Sequence, residues 1–472
     1  MERGDIMPSS RRRASRKRNS ILPIHPPKQV LRLIDRLQKH GFEAYAVGGC
    51  IRDSLLGLSP NDWDLTCSAH PEEVAQALSD YPVLPTGLQH GTVTVFIDGL
   101  SVEITTYRVD GAYSDGRHPD SVSFSRNLLD DLARRDFTVN AIAYHPNRGL
   151  VDPYNGLHDL HSRTLRCVGM PEQRFQEDAL RILRGLRFAS TLGFTIEKKT
   201  AYAIFQQRDL LNRIAEERIQ VEFSKLLCGR DAERILRKYQ RVISVFLPEI
   251  TPMVGLEQHS PYHIYDVWEH TLHAISAIEP KLELRLAVLL HDIGKPQCFS
   301  MDAKGVGHFY GHQNLGADIA KTILTRLRFS NEIVRTVYTL VKYHDVSITD
   351  EDVRIKRWLN RLGEPVFRML LAVNQADTAA HSPAAALRME MIEREAVALN
   401  RILAEQACFQ RKDLAIKGQD LLQIGIPEGP EVGRILQELL DAVLENRCAN
   451  QYEDLLAVAK QLYSMPSQPK EE

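Results

Sequence analysis

Two aspartates one residue apart, Asp62 and Asp64 in the run NDWDLT, closely follow the segment VGGCIRD at 47–53. A glycine turn that brings backbone amides close to phosphate and a strand that offers paired carboxylates are the two halves of a nucleotidyl-transfer site. Gly48 and Gly49 would make the turn. In an extended strand alternate side chains share a face, so Asp62 and Asp64 point together while Trp63 turns into packing. Two carboxylates on one face are costly to leave unneutralised, and hard oxygen ligands suit Mg²⁺. Glu103, on the β-type run SVEITTY, is a candidate third carboxylate, either binding metal or helping to deprotonate an attacking hydroxyl. An exposed strand residue is the alternative.

The basic residues come next. In LARRDFTVNAIAYH, Arg134 and Arg135 offer guanidinium forks suited to a triphosphate, and Asp136 and Asn140 suit ribose hydroxyls. A surface salt-bridge cluster at a helix start is the other reading. In LVDPYNGLHDL a Pro/Gly turn flanked by Asp152 and Asp159 shapes the last strand of its domain and the exit from it. In EDALRILRGLRF, a helix makes Asp178 and Arg181 neighbours, and Arg184 and Arg187 continue the stripe. Like charges at that spacing call for an anion, because few acids stand nearby. A carboxylate beside a guanidinium matches the amino-plus-acceptor edge of cytosine and adenine and opposes that of guanine and uracil. A charged helix face with internal salt bridges would carry the same residues.

These side chains must be held by elements that the pattern of the chain suggests. Ala44-Tyr45-Ala46-Val47 reads as a buried strand entering the glycine turn, and Leu55 and Leu56 continue as helix until Gly57 and Pro60 end it. From residue 26 to 165 the β-type runs AYAVGG, DWDLT, TVTVFI, SVEITTY and AIAYH alternate with helical ones, as in a mixed-sheet domain. Beyond about residue 170 the apolar spacing is helical almost throughout. The Gly/Asp/Ser/Arg-rich stretch Arg108–Pro119 is expected to be a loop that closes over substrate. The Arg/Ser-rich segment 1–25 reads as a solvated basic tail, with contact to RNA as the alternative. Among 472 residues, 43% are hydrophobic and 25% charged, and the net charge of −2 leaves any nucleic-acid surface to a local basic patch. No apolar run reaches membrane-spanning length. Seven dispersed cysteines without a C-x-x-C pair point to a reducing, cytoplasmic location.

VGGCIRD, NDWDL, RRDFTVNAIA, VDPYNGLHDL, EDALRILRGLRF and ERIQVEF stand in the order found in bacterial class II tRNA nucleotidyltransferases and their poly(A) polymerase relatives, which this chain resembles over roughly residues 44–225. The resemblance implies an α+β protein. A polymerase-β-like head (26–165) would lead to a helical neck (166–250), body (251–380) and tail (381–472). It implies template-independent addition of C, C and A to a tRNA 3′ end from CTP and ATP, with Mg²⁺ on Asp62 and Asp64. Gly49 and Arg52 would hold triphosphate, and Arg135 and Asp136 would contact nucleotide phosphate and ribose. Asp178 and Arg181 would be the amino-acid template, with Arg184 and Arg187 on the triphosphate and Glu217 and Arg218 bracing the neck. The intact Arg108–Pro119 loop speaks against a CC-only enzyme; an A-adding enzyme or poly(A) polymerase shares the other motifs.

A second group follows. His270, the doublet His291-Asp292 in LLHDIGKP, and Asp377 make the H…HD…D order of the HD superfamily of metal-dependent phosphohydrolases, and His312 and His344 could serve a second metal. Imidazole with carboxylate suits a divalent ion holding a nucleophilic water. The alternatives are a degenerate body that binds RNA, a chain acting chiefly as this hydrolase, and an inactive RNA-binding scaffold.

Overall fold

A computed structural model describes residues 24–111, 121–405 and 407–464. The basic tail up to residue 23 and the expected closing loop from residue 112 to 119 lie outside the described residues. The chain divides into two compact units, Met1–Asp178 with Thr195–Thr200, and Ala179–Phe194 with Ala201–Glu472.

The first unit is built on strands β1 (Ala44–Val47), β2 (Trp63–Cys67), β3 (Val83–Gly87), β4 (Thr92–Ile97), β5 (Leu100–Thr106), β6 (Arg108–Asp110), β7 (Val122–Phe124), β8 (Ala143–His145) and β9 (Gly149–Val151). Seven of them form one mixed sheet in the order β3-β4-β5-β2-β1-β8-β9, while β6 and β7 pair separately. The β2–β5 pair is parallel and runs in unbroken register from Trp63 opposite Val102 to Cys67 opposite Thr106. Because strand side chains alternate, Trp63, Leu65, Val102 and Ile104 share one buried face. Helix Lys28–Lys39 lies on this unit with a buried stripe of Val30, Leu33, Ile34 and Leu37, the spacing of a one-sided helix. The other face carries Asp64, Thr66 and Glu103. At one end it is sealed by Tyr45, Val47, Tyr107, Leu128 and Leu132. Over β4 and β5 it is polar, with Thr92 and Thr105 hydroxyls 3.0 Å apart.

The second unit is helical. Helix Leu282–Leu290 is buried on every side, from Leu284 through Leu290, so it runs through the core rather than across its surface. Helices Val267–Ala277, His312–Arg326, Asn331–Tyr343 and Glu364–Ala379 surround it. A small separate core near the end gathers Ile435, Leu439, Leu440 and Leu455. The mixed sheet followed by helices agrees with the expected α+β architecture. All seven cysteines are free. Among the described residues no helix is long and apolar enough to cross a membrane.

Candidate active site

β1 delivers the chain into Gly48, whose backbone at φ +84° and ψ −132° lies in a region that side chains with a Cβ rarely enter. A Cβ there would also stand 3.2 Å from an Arg135 guanidinium nitrogen, so the glycine allows that arginine to lie against the turn. Helix Gly49–Leu55 follows, and Gly57 at φ +74° comes just past its end, as its sequence suggests.

Asp64 and Glu103 are cross-strand partners on β2 and β5. Asp62 precedes β2, which begins at Trp63, and Trp63 is packed away at 5% exposure. Burial first, then the charges of Asp62 and Glu103, push the Asp64 carboxyl up to about 6, while Arg135 pulls it down. The three acids therefore share one electrostatic site, although their oxygens are not among the preformed clusters of three ligands within 4.8 Å of one another found among the described residues. Their hard oxygens suit a divalent cation of the Mg²⁺ type, which would relieve that crowding.

Beside the acids, Arg134 donates to Asp131 Oδ1 at 2.6 and 2.9 Å, and Arg135 Nη2 donates to Asp131 Oδ2 at 3.1 Å. Thr66 Oγ1 on β2 donates to the same carboxylate at 3.1 Å. Burial would raise the Asp131 carboxyl, but the two arginines outweigh it and hold the group low. Arg135 keeps Nε buried without a hydrogen-bond partner. Asp131 is thus the anchor of both forks. It was not singled out in the sequence, although its spacing of three and four from the arginines on a helix end signals it.

Arg52, 9% exposed, forks onto Asp53 at 2.8 and 2.9 Å and donates from Nη1 to Asn140 Oδ1 at 2.8 Å. Asn140 Nδ2 in turn donates to Asp136 Oδ1 at 3.0 Å. Arg52, Asp136 and Asn140 therefore form a buried network behind the glycine turn. Asp152 accepts from the backbone nitrogens of Gly156 and Leu157 at 2.7 and 2.9 Å, and Asp159 accepts from Thr138 Oγ1 at 2.7 Å, so both acids shape the turn.

The expected single helix through Asp178 and Arg181 is corrected. Asp178 ends helix Pro171–Glu177 in an extended conformation, φ −142° and ψ 104°, and a new helix runs from Leu180 to Leu192. The break takes Asp178 out of helical register with Arg181. The shortage of acids is also corrected. The buried Glu222, from helix Glu216–Leu227, meets Arg187 at 3.2 Å and Arg184 at 3.9 Å, and the Arg187 guanidinium stacks 3.9 Å over Phe188. At thirty-five residues from Arg187, Glu222 leaves no local sequence signal. Glu217, expected to brace the neck, is exposed and pairs with Arg328 at 3.6 Å.

The second group assembles fully. His270 Nε2 stands 2.9 Å from Asp377 Oδ1 and 3.3 Å from His291 Nε2. On the other side, Asp292 Oδ1 is 3.5 Å from His312 Nε2 and 3.7 Å from His344 Nε2. His291, His312 and His344 each place Nδ1 within 2.7–2.8 Å of the carbonyl three residues earlier. A carbonyl can only accept, so each Nδ1 carries a proton and each Nε2 faces the centre, where a bound metal would displace any second proton, the arrangement of metal-binding histidines. Burial opposes ionisation of Asp292, yet His291 and Lys295 hold it well below the usual carboxylate range. Lys295 Nζ is 2.7 Å from Asp292 Oδ2 and donates to Gln258 Oε1 at 2.8 Å. Gly294 permits this packing, since a Cβ there would lie 2.3 Å from the His312 carbonyl. A cavity of about 610 Å³ opens onto the centre, lined by Lys295, Tyr310, His312, His344 and Asp377 among others. His263 and His381 also line it and were not anticipated. Burial drives His263 down to about 2, and drives His381 down to about 4 against the pull of Asp377.

Residues 44–166 match the poly A polymerase head domain, 193–253 the probable RNA and SrmB-binding site of polymerase A, and 310–459 a putative tRNA nucleotidyltransferase domain 2. A CCA-adding enzyme of Lactobacillus delbrueckii subsp. bulgaricus is 34% identical over 89% of this chain and 94% of its own. One from Anoxybacillus flavithermus is 34% identical over 91% and 95%. The crystal structure of the Bacillus stearothermophilus CCA-adding enzyme in complex with CTP is 29% identical, covers 92% of this chain and 97% of its own, and superposes with a TM-score of 0.65. With a third of its residues shared along nearly the whole length of such relatives, the chain belongs to the CCA-adding enzymes, a family of nucleotidyltransferases.

Proposed function

We propose that the first unit adds C, C and A to tRNA 3′ ends from CTP and ATP at the face formed by Asp62, Asp64 and Glu103. The observation that carries this reading is the in-register pairing of Asp64 with Glu103 beside Arg135 and the Gly48 turn. Asp62 and Asp64 would hold Mg²⁺, which, when bound, acidifies the 3′-hydroxyl and neutralises charge on the phosphates. The 3′-oxygen forms a bond to the α-phosphorus, the bond to the β-phosphate oxygen breaks, and pyrophosphate leaves. Arg135, oriented by Asp131, supplies fixed positive charge where the triphosphate carries its negative charge, and the Gly48 turn admits the phosphates. Glu103 would assist removal of the hydroxyl proton. Arg52, Asp136 and Asn140 act as a buried brace that fixes the turn, so their contribution to nucleotide binding is chiefly positional. Asp178 and Arg181 are read as the selector of cytosine and adenine. Arg184 and Arg187, steadied by Glu222, would face the triphosphate.

The test uses tRNA transcripts ending before CCA, after C and after CC, each with CTP, ATP or both. The expected result is C added to the first two and A to the third. Incorporation of A alone, and only after CC, would make this an A-adding enzyme.

The preformed centre of His270, His291, Asp292 and Asp377, with His312 and His344, supports a second reading alongside the first. It would hold divalent metal and hydrolyse phosphate esters, with water as nucleophile. The inward Nε2 atoms of the histidines favour this over a purely structural role. Metal analysis of the purified full-length chain, with and without His291→Ala, tests it.

A further inference from the structure

Among the described residues, three groups of ligand atoms close enough to share an ion occur in the second unit. Two are the inner groups, His270/His291/Asp377 and Asp292/His312/His344. The third is His263, His270 and His381, with one nitrogen from each lying within 4.8 Å of the others. The rings of His263 and His381 are 4.4 Å apart at 71°, and His381 stacks on His270 at 5.1 Å. Both His263 and His381 keep Nδ1 buried without a hydrogen-bond partner. A buried polar nitrogen left unsatisfied is destabilising, so two of them side by side call for an occupant. The same two residues line the 610 Å³ cavity, whereas the His270 and His291 side chains lie behind it at 1% exposure.

Resting on the reading of the inner groups as a metal centre, we propose that His263 and His381, with His270 as shared imidazole, form an outer divalent-metal position at the cavity wall. Three imidazoles favour a borderline transition ion such as Zn²⁺, Co²⁺ or Ni²⁺ over Mg²⁺, which prefers oxygen; the Asp377 carboxylate, 3.8 Å from His381 Nε2, is engaged by His270 at 2.9 Å. The cavity side stays open for water or a phosphate oxygen as the remaining ligand. His270 also belongs to an inner group, so the outer position adjoins the inner centre.

The full-length chain is crystallised with saturating Ni²⁺, and anomalous difference maps are compared for the wild type, His381→Ala and His263→Gln. Ni²⁺ binding is counted in solution by equilibrium dialysis on the same three proteins. The expected result is a peak within bonding reach of His263 and His381, absent from both variants, with one equivalent per chain fewer in dialysis. Peaks confined to the inner groups in the wild type, or equal stoichiometry in all three proteins, overturn the outer position and leave the inner centre standing. Absence of a peak at all three groups overturns both readings.

Discussion

The two candidate metal centres of this chain solve the same electrostatic problem in different ways. In the sheet unit the acids are drawn from two adjacent strands and the residue just before one of them, and among the described residues no three of their oxygens form a ready cage. In the helical unit the ligands are fixed before any ion arrives, each of three histidines being tied by Nδ1 to a carbonyl of its own segment. The difference fits the two functions proposed above. A site that must accept a new nucleotide each round gains from completing its metal shell with the phosphates of that nucleotide. A hydrolytic centre gains from keeping its metal between turnovers. The first is a site of supply, the second one of storage.

The contrast breaks most sharply through a crossed pair of substitutions. Asp64→Ala is expected to lower the rate of C and A addition by about three orders of magnitude, roughly 4 kcal/mol in barrier, with metal content of the helical unit unchanged. His291→Ala is expected to do the reverse, removing retained metal and sparing addition. Rates on a CC-ended transcript and metal analysis of the same samples read both, and a shared loss in either variant would merge the two centres into one system. A chelator sharpens the contrast further. After brief exposure to EDTA and desalting into metal-free buffer, addition should fall to background and return on adding Mg²⁺, while the helical unit retains most of its ion. Rapid loss of both would contradict the preformed character of the histidine centre. The smallest effect is Asp131→Asn. Weakening the anchor of Arg134 and Arg135 should raise KM for CTP and ATP about tenfold, near 1.4 kcal/mol, with little change in kcat and none in bound metal. An unchanged KM would remove Asp131 from the triphosphate pocket.

Much of each site was legible where chemistry and local spacing coincide. Strand alternation alone brings Asp64 out and turns Trp63 in, and Glu103 falls on the partner strand in register. The histidine centre was readable because His270, His291-Asp292 and Asp377 stand in the order shared by the HD superfamily, a resemblance of residue types rather than of periodicity. The departures share a cause. Helical spacing suggested that Asp178 and Arg181 stand on one helix, but periodicity is blind to a two-residue break when both flanks are helical. Glu222, His263 and His381 act across tertiary contacts from distant helices and loops, and pairing of that kind leaves no periodic trace.

The unbroken pairing of β2 with β5 carries one more consequence. Strand registry moves in whole steps, and a step of one residue would exchange Asp64 for Trp63 or Leu65 on the working face. Misalignment here is therefore quantised, with no half-aligned state in which the acids sit slightly too far apart. Insertions or deletions within residues 62–67 should act as a switch rather than a dial, leaving the chain either fully competent for addition or silent.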